Sequence, residues 1–444
     1  MRAPVVDRRR RTPADAVTSW WARWWVATCG VALVLASDYD WRTRPPGEAT
    51  GGALDLAVLV EIAVYGAVGA YLVLVHADPP RIVRLPLQLG LLLGYAGLVV
   101  LSVSYTPYVL YAGVRAVQML VLVGLGLALA TRASTAHAHR FAHAFLVLVA
   151  LSTVYGVLVP SPPANRLQEG RFTWLAIHPT VSGVLSGLAV VVAVAYLSAG
   201  RRPRGGPQWP IPVYALLLLV VGGALLGTQT RGAVLGALAA GVVVTVSLQT
   251  GRALVDWLLA AVVLGSGLLL AGSAVAADYL ARGEDASQLA TLNSRTMLWE
   301  VALAAVREQP LWGYGTTASR MIFYEETGLG GGHNAVVNVL VELGVVGLLV
   351  WAALVVVLVL RVRALPRAAG RGLSVDRSVV LGVVAFLMVD GVVYEGAGAV
   401  ANVAITWLVL CVGWSVAAER EARTGTPAAA GDRPWPTPSR SARG

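Results

Sequence analysis

The chain has no lysine, only two cysteines and few charged residues, and these shortages narrow what the protein can be. Charged residues make up 13% of its 444 residues and hydrophobic residues 57%, a balance that soluble globular domains do not have. Cys29 and Cys411 both fall in apolar runs, so they indicate no disulfide framework. The net charge of +10 comes from arginines outside the apolar runs and gives no support for a nucleic-acid partner.

What the chain does have is a series of long apolar runs. Val213–Leu226 and Val345–Leu360, for example, contain no charged residue. A hydrocarbon core of ~30 Å needs about 20 apolar residues in a helix, and open sheets cannot satisfy their backbone in lipid. The sequence therefore predicts an all-α, polytopic membrane protein with about twelve transmembrane helices. Their cores lie near 24–37, 53–75, 85–104, 107–130, 141–160, 177–199, 211–227, 232–250, 253–277, 334–360, 379–395 and 400–417.

The distribution of arginine predicts the orientation. With the N-terminus inside, most arginines fall on the inner side, as expected for cytoplasmic loops that also contact anionic membrane lipids. We therefore expect a multi-pass protein of the cytoplasmic (inner) membrane with both termini in the cytoplasm. The predicted organisation is a basic cytoplasmic tail (1–19), a membrane domain (20–418) with a long extracytoplasmic loop (278–332), and a disordered cytoplasmic tail (419–444).

Three outer segments hold most of the unusual polar residues. The first contains Arg171 and then His178-Pro179 at the start of a span, and the second is a short turn that contains Arg231. The third is the excursion Asp278–Gly332, which contains Arg295 and runs into His333. An arginine at the bilayer surface is often only an anchor. Three arginines and His333 on one side of the membrane, however, favour an outward-facing site.

The excursion also has a helical pattern, with apolar Leu298, Ala302 and Val306 against polar Glu300 and Arg307. This pattern predicts an amphipathic helix that lies along the outer membrane surface. It stops before Pro310 and the Gly313-Tyr314-Gly315 turn.

After His333 the chain re-enters the membrane with Asn334, Asn338 and Glu342 spaced four residues apart. This spacing places the three side chains on one stripe of the helix. Buried amides and carboxylates are costly without partners, so the stripe should face either a polar cavity or other helices. Both alternatives remain open from the sequence.

Four more charged residues fall within predicted spans. Glu61 and Arg115 lie at similar depths below the outer surface and are predicted to form a structural ion pair, with a substrate role as the alternative. Asp390 and Glu395 receive no role from the sequence.

The ordered set of outer motifs resembles the family of O-antigen ligases and O-antigen polymerases. The set comprises Gly170-Arg171-Phe172 with His178-Pro179, Thr228-Gln229-Thr230-Arg231-Gly232-Ala233, Ser294-Arg295 with Leu298-Trp299, Pro310-Leu311-Trp312-Gly313-Tyr314-Gly315, and His333-Asn334 with Glu342-Leu343-Gly344. No single motif is specific, whereas their order and spacing are. Family members often have Pro-Asn after the first arginine, where this chain has His178-Pro179-Thr180.

The resemblance implies a fold like that of type C glycosyltransferases and a transfer reaction at the outer face of the membrane. The donor would be a polyprenyl-diphosphate-linked glycan and the acceptor a glycan or lipid hydroxyl, with no metal and no cofactor. Arg171, Arg231, Arg295 and His333 match the family's arginines and histidine.

The chemistry of these residues suits that reaction. Guanidinium groups form paired, charge-assisted hydrogen bonds with phosphate oxygens and stabilise the charge that develops on a leaving diphosphate. We expect Arg231 and Arg295 to act with His333 in catalysis. A second set is expected to bind substrate: Arg171, His178, Asn334, Asn338 and Glu342. Because architecture alone fits a permease equally well, a transporter without transferase activity is the alternative.

Overall fold

The computed structural model describes residues 13–42, 55–76, 85–163, 168–200, 206–249, 295–328, 330–365 and 373–424. Within these ranges the regular structure is entirely helical. The helices, numbered here in chain order, are α1 (Pro13–Asp38), α2 (Leu56–His76), α3 (Leu87–Ser102), α4 (Val109–Arg132), α5 (Thr135–Leu158), α6 (Pro179–Ala199), α7 (Ile211–Gly227), α8 (Arg231–Leu248), α9 (Arg295–Glu308), α10 (Ala318–Thr327), α11 (Ala335–Arg363), α12 (Leu373–Asp390) and α13 (Val403–Thr424).

Seven of these helices are long and apolar enough to cross a membrane: α2, α4, α5, α6, α8, α11 and α13. The apolar helices α3 and α7 are shorter. Every predicted span except 253–277 coincides with a described helix, and 253–277 lies outside the described residues. The all-helical class is thus observed over the described ranges, and the count of twelve spans stays a prediction.

Two predicted boundaries fall inside helices. Residues 13–19, expected in the N-terminal tail, already belong to α1, and α13 continues past residue 418 to Thr424. Contacts hold this last turn of α13 in place: Gln88 donates a hydrogen bond to Glu419 (2.9 Å), and the backbone N–H of Thr135 donates one to Glu421 (2.8 Å). Residues 419–424 of the predicted tail are therefore helical in the structure.

Helix α13 lies at the centre of the bundle, and nearly all of its side chains are buried. It packs most extensively on α4. At that crossing a Cβ atom at Gly413 would lie 2.4 Å from the carbonyl oxygen of Gly126. Small residues permit this close backbone approach between helices, as they do in other membrane bundles.

Helix α11 is broken at Gly344, whose φ of 65° and ψ of −166° are not helical. The residues that follow α9 occupy the break and take up the backbone groups that it frees. Val345 N–H donates to the Pro310 carbonyl oxygen (2.9 Å), and Gly315 N–H donates to the Glu342 carbonyl oxygen (2.8 Å). Irregular backbone at this position is therefore hydrogen-bonded by protein rather than left unsatisfied. We call residues 310–315 the wedge.

The wedge also contacts the end of α3. Tyr105 donates a hydrogen bond to the carbonyl oxygen of Trp312 (2.9 Å), and Ser102 accepts one from the backbone N–H of Thr316 (2.9 Å). The wedge thus fixes α10, the helix that follows it, between α3 and α11. Tertiary contacts of this kind are not visible in the local sequence pattern.

One end of the bundle contains the end of α1 and the beginnings of α2, α4, α6, α8 and α11. Under the predicted orientation this is the outer end, and we use that name for it. The polar segments singled out in the sequence lie there as far as the described residues include them.

Candidate functional site

The segment before α6 pairs with the turn between α7 and α8. Phe172 N–H donates a hydrogen bond to the carbonyl oxygen of Gly227 (2.7 Å). The guanidinium of Arg171 donates to the carbonyl oxygen of Thr228 (2.8 Å) and to the hydroxyl of Thr230 (3.2 Å). Arg231 is the next residue and the first of α8. The fold therefore brings Arg171 and Arg231 to one turn, although 59 residues separate Arg171 from Thr230 in the chain.

The N-termini of α6 and α8 meet at the same turn. Thr230, which precedes α8, donates its hydroxyl to the carbonyl oxygen of Pro179, the first residue of α6 (3.1 Å). Gly183 makes this approach possible, because a Cβ atom there would lie 2.7 Å from the Thr230 side chain. Helix N-termini carry partial positive charge and free N–H groups, so two adjacent ones favour an anion.

Helix α11 begins beside these two. Asn334 caps it by accepting hydrogen bonds from the N–H groups of Val336 (2.9 Å) and Val337 (3.1 Å), and it donates to the carbonyl oxygen of Val392 (3.0 Å). Asp390, at the end of α12, packs on Gly232 in the first turn of α8. The segment that follows α12 thus holds the N-termini of α8 and α11 together. Asn334 has a capping role here, which the sequence did not predict.

His333 is held in a left-handed conformation, with φ of 45°, immediately before this cap. Its Nδ1 lies 3.7 Å from a carboxylate oxygen of Glu395, and its side chain is 40% exposed. A carboxylate opposite one ring nitrogen orients the imidazole and would balance the positive charge that the ring acquires on taking up a proton. Glu395 is a residue that the sequence left without a role.

His178 lies on the other side of the site and caps α6. Its Nδ1 accepts a hydrogen bond from the N–H of Thr180 (3.1 Å), which leaves Nε2 to carry the ring proton. Although the ring is open to a cavity, desolvation by the surrounding protein, followed by the positive charges of Arg171 and His333, lowers its pKa to about 4. His178 is therefore neutral at physiological pH.

The stripe on α11 faces protein rather than open space. Asn338 and Glu342 are both buried, and both are hydrogen-bonded to the hydroxyl of Ser319 in α10, at 2.8 Å and 2.5 Å. Of the two alternatives left open, the structure favours contact with other helices. These two side chains fasten α10 to α11, and they do not line the cavity described below.

Arg295 begins α9, and its side chain lies outside the described part of the structure, as do residues 278–294. Its predicted catalytic role stays a prediction. The rest of α9 packs Leu298 and Ala302 against Phe323 of α10 and Val341 of α11. The predicted amphipathic helix is thus present, and part of its apolar face contacts protein.

A cavity of about 1270 Å³ lies next to this site at the outer end. Its wall includes His178, together with Arg320 of α10 and the pair Glu61 and Arg115. The predicted ion pair is present, with Arg115 Nη1 2.8 Å from Glu61 Oε1. Sequence reasoning missed Arg320, because it occurs in a short helix outside every predicted span and every recognised motif. We call this space the outer cavity.

The part of the chain that contains the turn, α9, α10 and the first half of α11 matches a known family. Residues 214–352 match the family model described as O-antigen ligase. This stretch of the chain is thus similar to the O-antigen ligase family. The match confirms the resemblance seen in the sequence motifs, and with the seven apolar helices it identifies a multi-pass membrane protein. No curated protein matches the chain.

The matched range contains only part of the assembled site. Arg231, Arg295, Arg320 and His333 lie within it, whereas Arg171, His178 and Glu395 lie outside it. In the described part of the chain, no group of three or more His, Cys, Asp or Glu side chains is arranged to hold a metal ion.

Proposed function

We propose that the protein transfers a polyprenyl-diphosphate-linked glycan to an acceptor hydroxyl at the outer face of the cytoplasmic membrane, as a glycan ligase or a glycan polymerase. The O-antigen ligase domain supports this general class of reaction. The observation that carries the proposal is that Arg171 and Arg231 lie at one turn where the N-termini of α6 and α8 adjoin, and that the segment after α12 contacts the N-termini of both α8 and α11, next to His333.

The diphosphate would bind at this positive region. Arg231 and Arg171 would donate charge-assisted hydrogen bonds to its oxygens, with the two helix N-termini adding to the positive potential. Such groups stabilise the charge that develops when the bond between the anomeric carbon and the diphosphate oxygen breaks. Arg295 would join them from the start of α9.

His333 would accept the proton of the acceptor hydroxyl as its oxygen attacks the anomeric carbon. The new glycosidic bond forms, the diphosphate leaves with the electron pair of the broken bond, and the proton stays on the imidazole. Glu395 would hold the ring in position and balance its charge. Neutral His178, with its Nε2 proton, would donate a hydrogen bond to the substrate rather than accept a proton.

Reconstitution with a lipid-linked oligosaccharide tests the proposal. We expect His333→Ala and Arg231→Ala to lower transfer by about 100-fold or more, the range for a general base or a single stabilising donor. Arg307→Ala is the matched control, because Arg307 is exposed on α9 and away from the site. Wild-type rates for folded His333→Ala and Arg231→Ala proteins would refute the assignment.

The products of the same assay separate the two kinds of transfer. A ladder of glycan lengths on the original carrier lipid identifies a polymerase. A single transfer of the whole glycan to a new acceptor identifies a ligase.

A further inference from the structure

The outer cavity is larger than a diphosphate needs, and Arg171 and Arg231 do not line it. It lies between the end of α1, the beginnings of α2 and α4, and α10. Its wall combines apolar side chains, aromatic rings and charged side chains, and Glu61 and Arg115 lie beside the apolar residues of α2 and α4. The apolar residues include Ala32, Leu35, Val60, Val64 and Val114, and the aromatic residues are Tyr39, Trp41, Tyr108 and Tyr111.

Two guanidinium groups share one hydroxyl in this cavity. Arg320 donates a hydrogen bond to the Tyr111 oxygen at 2.8 Å, and two nitrogens of Arg115 approach the same oxygen at 3.3 Å and 3.4 Å. All three residues line the cavity. The Tyr111 hydroxyl therefore lies between the guanidinium groups of Arg115 and Arg320, in a cavity that is only partly open to water.

The two charges are not equally balanced. Arg115 is paired with Glu61, which also accepts a hydrogen bond from Gln118 (2.9 Å). Among the described residues no carboxylate lies within ion-pair distance of Arg320, and Glu395 acts on it only from farther away. Arg320 thus presents to the cavity a guanidinium that has no close carboxylate partner, and such a group favours an anionic ligand.

The remaining lining indicates what kind of molecule carries that anion. A guanidinium binds a carboxylate or phosphate through a planar fork of N–H donors. The aromatic rings and the apolar side chains of the lining offer apolar surface to the rest of a bound molecule. His178 lies on the same wall and within electrostatic reach of His333. A ligand in the cavity would therefore extend towards the proposed transfer site.

We propose that the outer cavity holds the acceptor as a glycan that carries an anionic group, and that Arg320 binds this carboxylate or phosphate with Tyr111 and Arg115 behind it. Naming the ligand as the acceptor rests on the proposed function. The anion site itself rests only on the cavity and its residues.

Binding of a matched pair of probes to the full-length protein tests the anion site. The probes are an oligosaccharide of uronic acids and the same oligosaccharide with its carboxyl groups reduced to alcohols, measured in nanodiscs of phosphatidylcholine. We expect the acidic probe to bind at least about tenfold more tightly, the ratio expected for one charge-assisted hydrogen bond. Arg320→Gln should weaken the acidic probe by about tenfold and the neutral probe by less than twofold.

Three variants act as controls. Arg320→Lys keeps the charge but loses the fork and should bind the acidic probe with intermediate affinity. Arg307→Gln, on the exposed face of α9, should leave both affinities unchanged. Tyr111→Phe removes only the shared hydroxyl and should reduce the acidic preference while leaving α4 intact. Thermal unfolding of each variant checks its fold.

Equal affinity of the wild-type protein for the two probes, or an equal loss of both in folded Arg320→Gln, overturns the anion site. Loss of the acidic preference when phosphatidylglycerol replaces phosphatidylcholine would instead show a site for lipid headgroups and overturn the acceptor assignment. Undecaprenyl diphosphate without glycan is the separate probe for the transfer site. If its binding does not depend on Arg231, the proposed function fails and the anion site can still stand.

Discussion

Replacing Gly344 by alanine should destabilise the break in α11. The backbone there has φ of 65° and ψ of −166°, a region that is essentially restricted to glycine, and a side chain in it costs about 1–3 kcal/mol. The new Cβ would also lie 2.2 Å from the carbonyl oxygen of Leu311 and 2.6 Å from the nitrogen of Trp312. Both are backbone atoms, so the wedge itself must move.

Movement of the wedge would disturb the hydrogen bonds that join it to α11. These run from Val345 to Pro310 (2.9 Å), from Val346 to Leu311 (3.3 Å) and from Gly315 to Glu342 (2.8 Å). Each bond contributes about 0.5–1.5 kcal/mol. Together with the backbone strain at residue 344, the loss in the free energy of unfolding is on the order of 3–7 kcal/mol. This is a large part of the stability of a typical domain.

The measurement is thermal unfolding in detergent, together with the yield of monodisperse protein on size exclusion. Gly97→Ala is the matched control, because nothing lies within 4 Å of a Cβ atom at this position in α3. We expect Gly344→Ala to melt many degrees lower or to fail to accumulate, and Gly97→Ala to behave as wild type. A normal melting temperature for Gly344→Ala would refute the argument that the wedge and the break support each other.

The remaining predictions concern the site. Glu395→Gln should lower the transfer rate by roughly 10–100-fold and shift the pH profile of transfer, and His333→Ala should lower the transfer rate further. An unchanged pH profile for Glu395→Gln would exclude a positioning role for Glu395. For His178, a pKa near 4 against 6.5 for the free residue means that the folded state binds fewer protons in this interval, so stability should fall as pH decreases from 6.5 towards 4. His178→Asn keeps a capping acceptor for Thr180 and should make the melting temperature depend less on pH between 6.5 and 4. The same pH dependence in the variant and the wild-type protein would contradict the lowered pKa of His178. Ser319→Ala removes the hydroxyl shared by Asn338 and Glu342. Denaturant titration should show a free energy of unfolding that is lower by about 1–3 kcal/mol. No change would mean that Asn338 and Glu342 satisfy each other's hydrogen bonds without Ser319.

Much of the site was predictable because its parts are local motifs at the ends of apolar runs. The turn that contains Arg231 and the approach to α6 that contains Arg171 and His178 were visible as polar residues between spans. In the structure Arg171 and Arg231 lie at one turn, and His333 immediately precedes the cap of α11. That these residues form one outward-facing site stays a prediction. Their catalytic and binding roles stay predictions.

Other parts could not be predicted because their partners lie far away in the chain. Glu395 is one acidic residue after an apolar span, and only the fold shows that it faces His333. Asn338 and Glu342 have a helical spacing that fits a cavity or a helix interface equally well, and contact with Ser319 decides between them. Arg320 belongs to none of the motifs recognised in the sequence, yet it donates a hydrogen bond to the hydroxyl of Tyr111, 209 residues earlier in the chain.

Composition and apolar run length by themselves determined that this is a helical membrane protein, since water-free surroundings force each backbone segment to satisfy its own hydrogen bonds. The motif order predicted the similarity to the O-antigen ligase family that residues 214–352 show, and the arginine distribution predicts the orientation. Only the tertiary structure decided which helix N-termini meet, where α11 breaks and which charges remain unbalanced. These depend on contacts between residues that are distant in sequence, and such contacts arise from packing the whole bundle.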